Sequence, residues 1–332
     1  MKDAFRKQKL EPGQWLETVF LGGDNRRRAT FTALKQHGKI LVGYYRRRSN
    51  QITDIRSCLI ADPKLLELRS KCKSFLKEIL RERVRTDIFV QLVDKAVDMV
   101  ITGPVGRKGE PDRALRELVA QWMEAAHVTR ISWRASERDS IRVLAAKDQV
   151  VARFGPLKIN LPPAAFLQPT VEGEQALVSA VLAVLPPSGK FADLFSGCGT
   201  FSGPMVARGS VDAYESATNA VNALSKAQLS GFRVFRRDLF RNPLRRDEIN
   251  RYDVVCFDPP RAGCREQVAE MACSKAPILV GVSCNPATFA RDTRILCDGG
   301  YRLQSLQIVD QFLWSHSVEL VGVLSKGTRG KF

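Results

Sequence analysis

The chain has 332 residues, 44% hydrophobic and 26% charged, a composition that excludes a disordered protein. Lysine and arginine total 52 against 35 acidic residues, and this net charge of +17 favours a nucleic acid partner, with a solvated basic surface as the alternative. No apolar run reaches the ~18 residues that span a bilayer and no signal-type segment follows Met1, so we expect no membrane contact and a cytoplasmic location.

Residues 1–155 are expected to form a small α+β domain that binds RNA. Alternating apolar and polar residues predict its strands, and helical periodicity predicts its helices. The strand-like runs are 27–34, 40–45 and 88–101, and the helical runs are 64–82 and 113–126.

Two arginine triplets stand beside the first strands of this domain. Arg26, Arg27 and Arg28 stand at the start of one strand-like run, and residues 46–48 follow the next. Guanidinium groups contact phosphates bidentately and neighbouring aromatic rings can stack on bases, so Arg26, Arg27 and Arg28 are candidate substrate-binding residues. A charged strand edge that prevents aggregation is the alternative interpretation.

A proline-rich stretch, residues 161–169, stands at the start of a second domain, residues 156–332. Helical and strand-like runs alternate along this domain, which predicts a doubly wound, Rossmann-like parallel sheet. The predicted strands are 190–195, 211–214, 233–235, 252–257 and 276–282, followed by two further strand-like runs.

Two of these predicted strands are followed by a side chain that can take part in catalysis. Asp258 is followed by Pro259 and Pro260, and Cys284 is followed by Asn285 and Pro286. The crevice of an open α/β sheet lies outside the carboxyl ends of its strands, so both side chains are expected at an active site. A small buried hydrophobic role is the alternative for Cys284.

A glycine-containing loop, residues 193–201, joins the first predicted strand of this domain to a helix. Gly197 and Gly199 allow a ligand close to the backbone. Glu215, about twenty residues on, is placed to accept ribose hydroxyls, and Asp238 is placed for an adenine amino group. Both a dinucleotide and S-adenosylmethionine fit such a site, and Ser202 at the position of a third glycine favours S-adenosylmethionine.

The second half of the chain resembles the bacterial family of RNA uracil-C5 methyltransferases, which make 5-methyluridine in ribosomal and transfer RNA. The resemblance rests on motifs that follow one another in the family's order. They are Phe166-Leu167-Gln168, residues 193–201, 257–263 and 282–292, Asp310-Gln311-Phe312, and His316-Ser317-Val318-Glu319.

The resemblance implies a role for each motif residue. Cys284 would be the nucleophile that adds to C6 of uracil, and Glu319 the base that removes the C5 proton. Asp258 would contact the uracil or hold the hydrogen-bond network of the site, and Arg261 would bind substrate. The implied cofactor is S-adenosylmethionine, held by Gln168, Phe195, Gly197, Glu215, Asp238 and Asp258.

A strand-edge charge is the alternative interpretation of Glu319, and His316 is expected to be a structural or substrate-contacting group rather than a base.

The sequence departs from the family pattern in three places. Many members bind a 4Fe-4S cluster through four cysteines, but here no cysteine precedes Cys58, which stands at the fourth ligand position. We therefore expect no metal, with Cys58 as a remnant ligand. The chain also begins too late for the family's β-barrel domain, so either this form lacks the cluster or upstream sequence is missing. Thr170 replaces a common asparagine.

The expected protein is thus a monomeric S-adenosylmethionine-dependent RNA uracil-C5 methyltransferase acting on 23S ribosomal RNA. Transfer RNA is the alternative substrate. Methylation of another base or atom is a second alternative, although amino-group methylation needs no thiol. A noncatalytic RNA-binding protein is the third, if a truncated N-terminus abolishes turnover.

Overall fold

A computed structural model describes residues 2–106, 108–315 and 317–327, and these residues form two compact units. The N-terminal unit comprises Gly23–Ala152 and Asn160–Ala165. The C-terminal unit comprises the described residues of Met1–Gly22, Arg153–Ile159 and Phe166–Phe332. Residues 2–22, which the sequence groups with the first domain, thus pack with the C-terminal unit instead.

The helices of the described chain are α1 (Lys2–Lys7), α2 (Pro63–Ile79), α3 (Arg113–Ala126), α4 (Val171–Leu182), α5 (Ser202–Val206), α6 (Thr218–Ser225), α7 (Arg246–Ile249), α8 (Arg265–Ala272) and α9 (Pro286–Asp298). Two short strands come first in the chain, β1 (Gln14–Trp15) and β2 (Val19–Phe20). The strands of the N-terminal unit are β3 (Arg28–Gln36), β4 (Lys39–Tyr45), β5 (Ile52–Asp54), β6 (Arg85–Val93), β7 (Ala96–Thr102), β8 (Arg130–Arg134) and β9 (Arg142–Ala146). The remaining strands are β10 (Val151–Phe154), β11 (Leu157–Asn160), β12 (Lys190–Leu194), β13 (Ser210–Glu215), β14 (Phe232–Arg236), β15 (Val254–Phe257), β16 (Ile278–Ser283), β17 (Tyr301–Asp310) and β18 (Glu319–Lys326). Among the described residues, no helix is both long and apolar enough to cross a membrane.

The N-terminal unit is a sheet in the order β5-β4-β3-β6-β7-β8-β9, with the apolar residues of α2 and α3 in the same core as those of the sheet. Aspartates cap both helices, because Asp62 accepts from the Lys64 N–H at 2.8 Å and Asp112 from the Leu115 N–H at 2.9 Å. The strand-like run 88–101 proves to be a hairpin of β6 and β7, which turns at Asp94 with φ of 50°.

The C-terminal unit contains the Rossmann-like sheet that the sequence predicts, in the order β1-β17-β18-β16-β15-β12-β13-β14, with β2 also paired to β17. The five adjacent strands β14, β13, β12, β15 and β16 are parallel. The sheet is not parallel throughout, because β18 runs antiparallel to both β16 and β17. The strands β12, β13, β15 and β16 are mostly buried and apolar, which explains why the sequence pattern predicts them.

The chain leaves β12 in one direction to form β13 and β14, and later returns to form β15 on the other side of β12. This reversal of strand order opens a crevice at the carboxyl ends of the strands, called here the carboxyl edge. The loops after β12, β13, β15 and β16 all emerge there. The carboxyl edge is therefore the expected location of a ligand-binding site.

Candidate active site at the carboxyl edge

The end of β16 and the start of β18 meet at the carboxyl edge. Because these strands are antiparallel with Ser283 opposite Leu320, the next residues beyond that pair are Cys284 and Glu319. Glu319 is only 5% exposed, whereas Cys284 is partly exposed. The sheet therefore places a buried carboxyl group beside an accessible thiol.

The thiol of Cys284 has a pKa above its ordinary value. Burial is the largest cause, and the carboxyl groups of Glu319 and Asp258 raise the pKa further because they disfavour a neighbouring negative charge. Arg261 opposes them and lowers the pKa of the thiol. Cys284 is thus mainly protonated at neutral pH, and its reactivity depends on the charges around it.

Asp258 continues the pairing of β12 and β15 by one residue, since its N–H donates to the Leu194 carbonyl at 3.2 Å. Part of the residue remains exposed, yet burial of its carboxyl group raises the pKa of Asp258 to about 7. A carboxyl group with this pKa exchanges a proton readily near neutral pH, as acid–base chemistry requires.

The loop after β12 begins with strained backbone. Phe195 has φ of 61°, which is uncommon for a bulky residue and typical of functional sites. Gly197 also has positive φ, and a Cβ there would meet no atom within 4 Å, so open space adjoins the loop. At Gly199 a Cβ would instead lie 2.6 Å from Leu157 and 2.9 Å from Leu224, so this glycine serves packing.

Glu215 ends β13 and holds this loop in place. One of its oxygens accepts from the Gly197 N–H at 2.9 Å, and the other accepts from the N–H groups of Ser216 at 2.7 Å and Ala217 at 2.8 Å. Each carboxylate oxygen has two lone pairs, so the oxygen bound to Gly197 retains capacity for one further donor, such as a ligand hydroxyl. Glu215 therefore joins the glycine loop to the turn before α6.

Asp238 follows β14 and closes a turn, with one oxygen accepting from the Phe240 N–H at 3.0 Å. The ring of Phe240 is 41% exposed and lies 5.5 Å, centroid to centroid, from the ring of Phe195. Asp238 thus stands next to an aromatic pair, which is a suitable environment for a flat heterocycle that also donates hydrogen bonds.

Asp193, the first residue of the glycine-containing loop 193–201, is a further functional candidate. It is fully buried, accepts from the Ser202 hydroxyl at 2.5 Å, and its other oxygen has no hydrogen-bond partner within the described chain. Burial raises the pKa of Asp193 to about 7, opposed by the Ser202 hydrogen bond, and the charges of Asp258 and Glu215 raise it further. A cluster of carboxyl groups in a basic protein suits a cationic ligand.

Gln168 contacts the motif that begins at Asp310. Its side-chain oxygen accepts from the Gln311 side-chain N–H at 3.1 Å, and Gln311 in turn accepts from the Thr170 hydroxyl at 3.2 Å. Thr170 also caps α4 by accepting from the Gly173 N–H at 2.9 Å. Gln311 belongs to a motif of the sequence, but the motif does not predict that its side chain joins Gln168 to Thr170.

The start of α9 holds the loop 261–264, which follows Asp258. The Arg261 carbonyl accepts from the Asn285 side chain at 2.9 Å and from the Thr288 hydroxyl at 3.1 Å. The Arg291 guanidinium donates to the Ala262 carbonyl at 3.0 Å, and the Asp292 carboxylate accepts from the Cys264 N–H at 2.9 Å. The N-cap residue and three side chains of α9 thus bind residues 261, 262 and 264 of the loop.

Other predicted site residues lie in the N-terminal unit. Arg26, Arg27 and Arg28 are each partly exposed, and the Arg26 guanidinium donates to the Arg28 carbonyl at 3.3 Å. Cys58 is also partly exposed, and the described residues contain no cluster of three or more metal-ligating side chains. His316 lies outside the described residues.

The fold is shared with a solved structure, that of the Pyrococcus abyssi tRNA (uracil-54, C5)-methyltransferase in complex with S-adenosyl-L-homocysteine. The TM-score is 0.74 at 22% identity, over 97% of this chain and 82% of that one. The chain therefore has the Rossmann-like fold of a methyltransferase, as the sequence predicts.

A family model described as tRNA (Uracil-5-)-methyltransferase matches residues 161–327 of the 332. An RNA methyltransferase of Zymomonas mobilis is 36% identical over 98% of this chain and 81% of its own length. The 23S rRNA (uracil(1939)-C(5))-methyltransferase of Acinetobacter baumannii is 26% identical over 96% and 71%. The chain belongs to the tRNA (uracil-5-)-methyltransferase family, which confirms the expected class, an S-adenosylmethionine-dependent RNA methyltransferase.

Replacing Glu319 with glutamine should make Cys284 react faster with iodoacetamide at pH 7.5. The substitution removes a negative charge that raises the pKa of the thiol, so more thiolate is present and the pH profile shifts to lower pH. Peptide mass spectrometry after timed alkylation measures the rate. Exposed Cys273 in the same sample is the control, and a Cys284 profile unchanged by Glu319→Gln would contradict the electrostatic coupling.

Proposed function

We propose that the protein methylates C5 of a uridine in RNA through a covalent bond between Cys284 and C6 of the base, with Glu319 as the base that completes the reaction. The supporting observation is the position of a partly exposed thiol next to a buried carboxyl group at the carboxyl edge. Because C5 of uracil is a weak nucleophile, methyl transfer requires activation, and a thiolate supplies it by addition.

In the first step Asp258 takes the proton of Cys284, which its pKa of about 7 allows near neutral pH. Sγ then adds to C6 of uracil, and the electrons of the C5–C6 double bond move toward the O4 carbonyl as an enolate. Arg261 lies near enough to lower the pKa of the thiol, so its positive charge also stabilises anionic species at this position.

C5 of the enolate would then take the electrophilic methyl group that bound S-adenosylmethionine would supply, with S-adenosylhomocysteine as the leaving group. The product is a 5-methyl adduct that still carries the C5 proton and the bond to Cys284. Glu319 removes this proton, the double bond re-forms and the thiolate of Cys284 departs. Buried Glu319 is excluded from bulk water and adjoins the nucleophile, as a base acting at the neighbouring carbon should.

S-adenosylmethionine supplies an electrophilic methyl group when it is bound. The residues at the carboxyl edge fit this cofactor: Gly197 faces open space, Glu215 has capacity for a ribose hydroxyl and Asp238 adjoins an aromatic pair. The Asp193 oxygen without a partner and its carboxyl neighbours favour a cation over the pyrophosphate of a dinucleotide. We assign cofactor binding to these residues together with Gln168, Phe195 and Asp258.

The arginines of the N-terminal unit are proposed to bind the RNA backbone. Arg26, Arg27 and Arg28 are partly exposed, and the loop between β4 and β5 presents Arg47 and Arg48 to solvent. The ring of Tyr45, at the base of this loop, lies 5.5 Å from the Arg85 guanidinium. No acidic residue occurs from Lys39 to Thr53, so the loop suits a phosphate chain.

We propose 23S ribosomal RNA as the substrate because the A. baumannii relative acts, by its name, on that RNA. Mapping of 5-methyluridine in a deletion strain tests this. We expect one 23S site to lose the modification and to regain it on expression of the protein. Loss confined to transfer RNA would replace the proposed substrate with the alternative.

Cys284→Ala should abolish tritium release from RNA labelled at uridine C5, because only C5 methylation expels that hydrogen. Glu319→Gln should slow release by about 10²-fold or more, since removing a general base costs that much. It should also accumulate a protein–RNA adduct visible on denaturing gels. Cys273→Ala, which changes an exposed thiol, should retain activity. Release by Cys284→Ala would refute the nucleophile, and RNA binding without release by the native protein would indicate a noncatalytic protein.

The double variant Arg47→Gln/Arg48→Gln should bind RNA about tenfold more weakly at physiological salt. The slope of the logarithm of the association constant against the logarithm of the salt concentration should become shallower by about 1.5, the value for two lost phosphate contacts. The matched control is Arg113→Gln/Arg116→Gln, two exposed arginines of α3. Filter binding across a salt series measures both. If both double variants weakened RNA binding equally, the loss of net charge would explain the effect, and phosphate contacts by Arg47 and Arg48 would be contradicted.

A further inference from the structure

The loop 261–264 and the nucleophile belong to different parts of the chain, yet α9 holds them together. Cys284 precedes Asn285, the N-cap of α9, whose side-chain oxygen accepts from the Ala287 N–H at 3.1 Å. The same side chain donates to the Arg261 carbonyl at 2.9 Å. A single side chain thus fixes the start of the helix beside the thiol and also fixes the loop that carries Arg261.

Two further residues of α9 tighten this connection. Asp292 is 2% exposed, and one of its oxygens accepts from the Cys264 N–H while the other pairs with Arg291 at 2.7 Å. Arg291 then reaches the Ala262 carbonyl. The buried carboxylate is therefore satisfied from both sides, and it links the loop to the helix through a charge-assisted pair.

The loop between these contacts has no room for a larger residue. Gly263 has φ of +76°, and a Cβ at this position would lie 2.4 Å from the Asp292 carboxylate and 2.5 Å from the Arg291 guanidinium. Neither side chain can move away without losing its bond to the loop. Close backbone approach, rather than flexibility, is what this glycine provides.

We propose that Asn285, Thr288, Arg291 and Asp292 are positioning residues for the reaction, forming a clamp that sets the place of Arg261 relative to Cys284. The proposal rests on the proposed function for its catalytic consequence, because a misplacement of about 1 Å can cost ~10²-fold in rate. It also has a consequence independent of methylation. Arg261 lowers the pKa of the Cys284 thiol, against Glu319 and Asp258, so a released loop leaves the thiol less acidic.

The test uses the double variant Thr288→Val/Arg291→Gln, which removes two donors to the loop and leaves buried Asp292 in place. We expect kcat to fall about tenfold or more, KM for RNA to stay within about twofold, and the alkylation profile of Cys284 to move to higher pH. Thr288→Ser alone keeps the hydroxyl and should behave as the native protein.

Arg294→Gln is the matched control, because Arg294 lies on the same helix and pairs with Asp298 at 2.6 Å instead of the loop. It should change neither kcat nor the alkylation profile. An unshifted profile in the double variant, or an equal loss of kcat in Arg294→Gln, would overturn the clamp. If Cys284→Ala instead kept its activity, Cys284 would not be the nucleophile. The alkylation profile of Cys284 in the double variant would still test the clamp, because alkylation does not depend on methylation.

Discussion

The candidate site depends on the reversed direction of one strand. A sheet that stayed parallel would bring only carboxyl ends of strands to the carboxyl edge. Because β18 inserts antiparallel between β16 and β17, its first residue arrives at the point where β16 ends. Glu319 and Cys284 are 35 positions apart in the chain and become neighbours through this register alone. A slip of one residue would turn Glu319 to the opposite face of the sheet.

The carboxyl edge is rich in acidic residues, whereas the protein as a whole is basic. The chain carries a net charge of +17, which attracts RNA, yet Asp193, Glu215, Asp258 and Glu319 gather at the carboxyl edge. Burial raises the pKa of Asp193 and of Asp258 to about 7, so their ionisation responds to a bound ligand. A cationic cofactor stabilises the ionised forms, whereas the basic surface serves the polyanion. Separate regions thereby suit ligands of opposite charge.

The parallel core of the fold was predictable because buried parallel strands read as continuous apolar runs, and their ends marked Asp258 and Cys284. The direction of β18 was not predictable from such a pattern, since an apolar run has the same appearance in either direction. The packing of α1 through Phe5 against Phe289 depends on a contact across most of the chain and leaves no local signal. The hydrogen bonds of Asp292 likewise appear only once α9 and the loop are folded together. The catalytic roles of the motif residues remain predictions.

A raised pKa is consistent with the work proposed for Cys284. Thiolates of higher pKa are intrinsically better nucleophiles, so the environment that disfavours the thiolate also strengthens its attack on C6 once it forms. A protonated resting thiol is also less open to oxidation, because susceptibility follows thiolate character and exposure. The opposite requirement arises at the end of the reaction, where a less basic thiolate leaves faster. In the proposed reaction the positive charge of Arg261, which lowers the pKa of the thiol, would assist this departure, and this explains why its position relative to Cys284 should be held firmly.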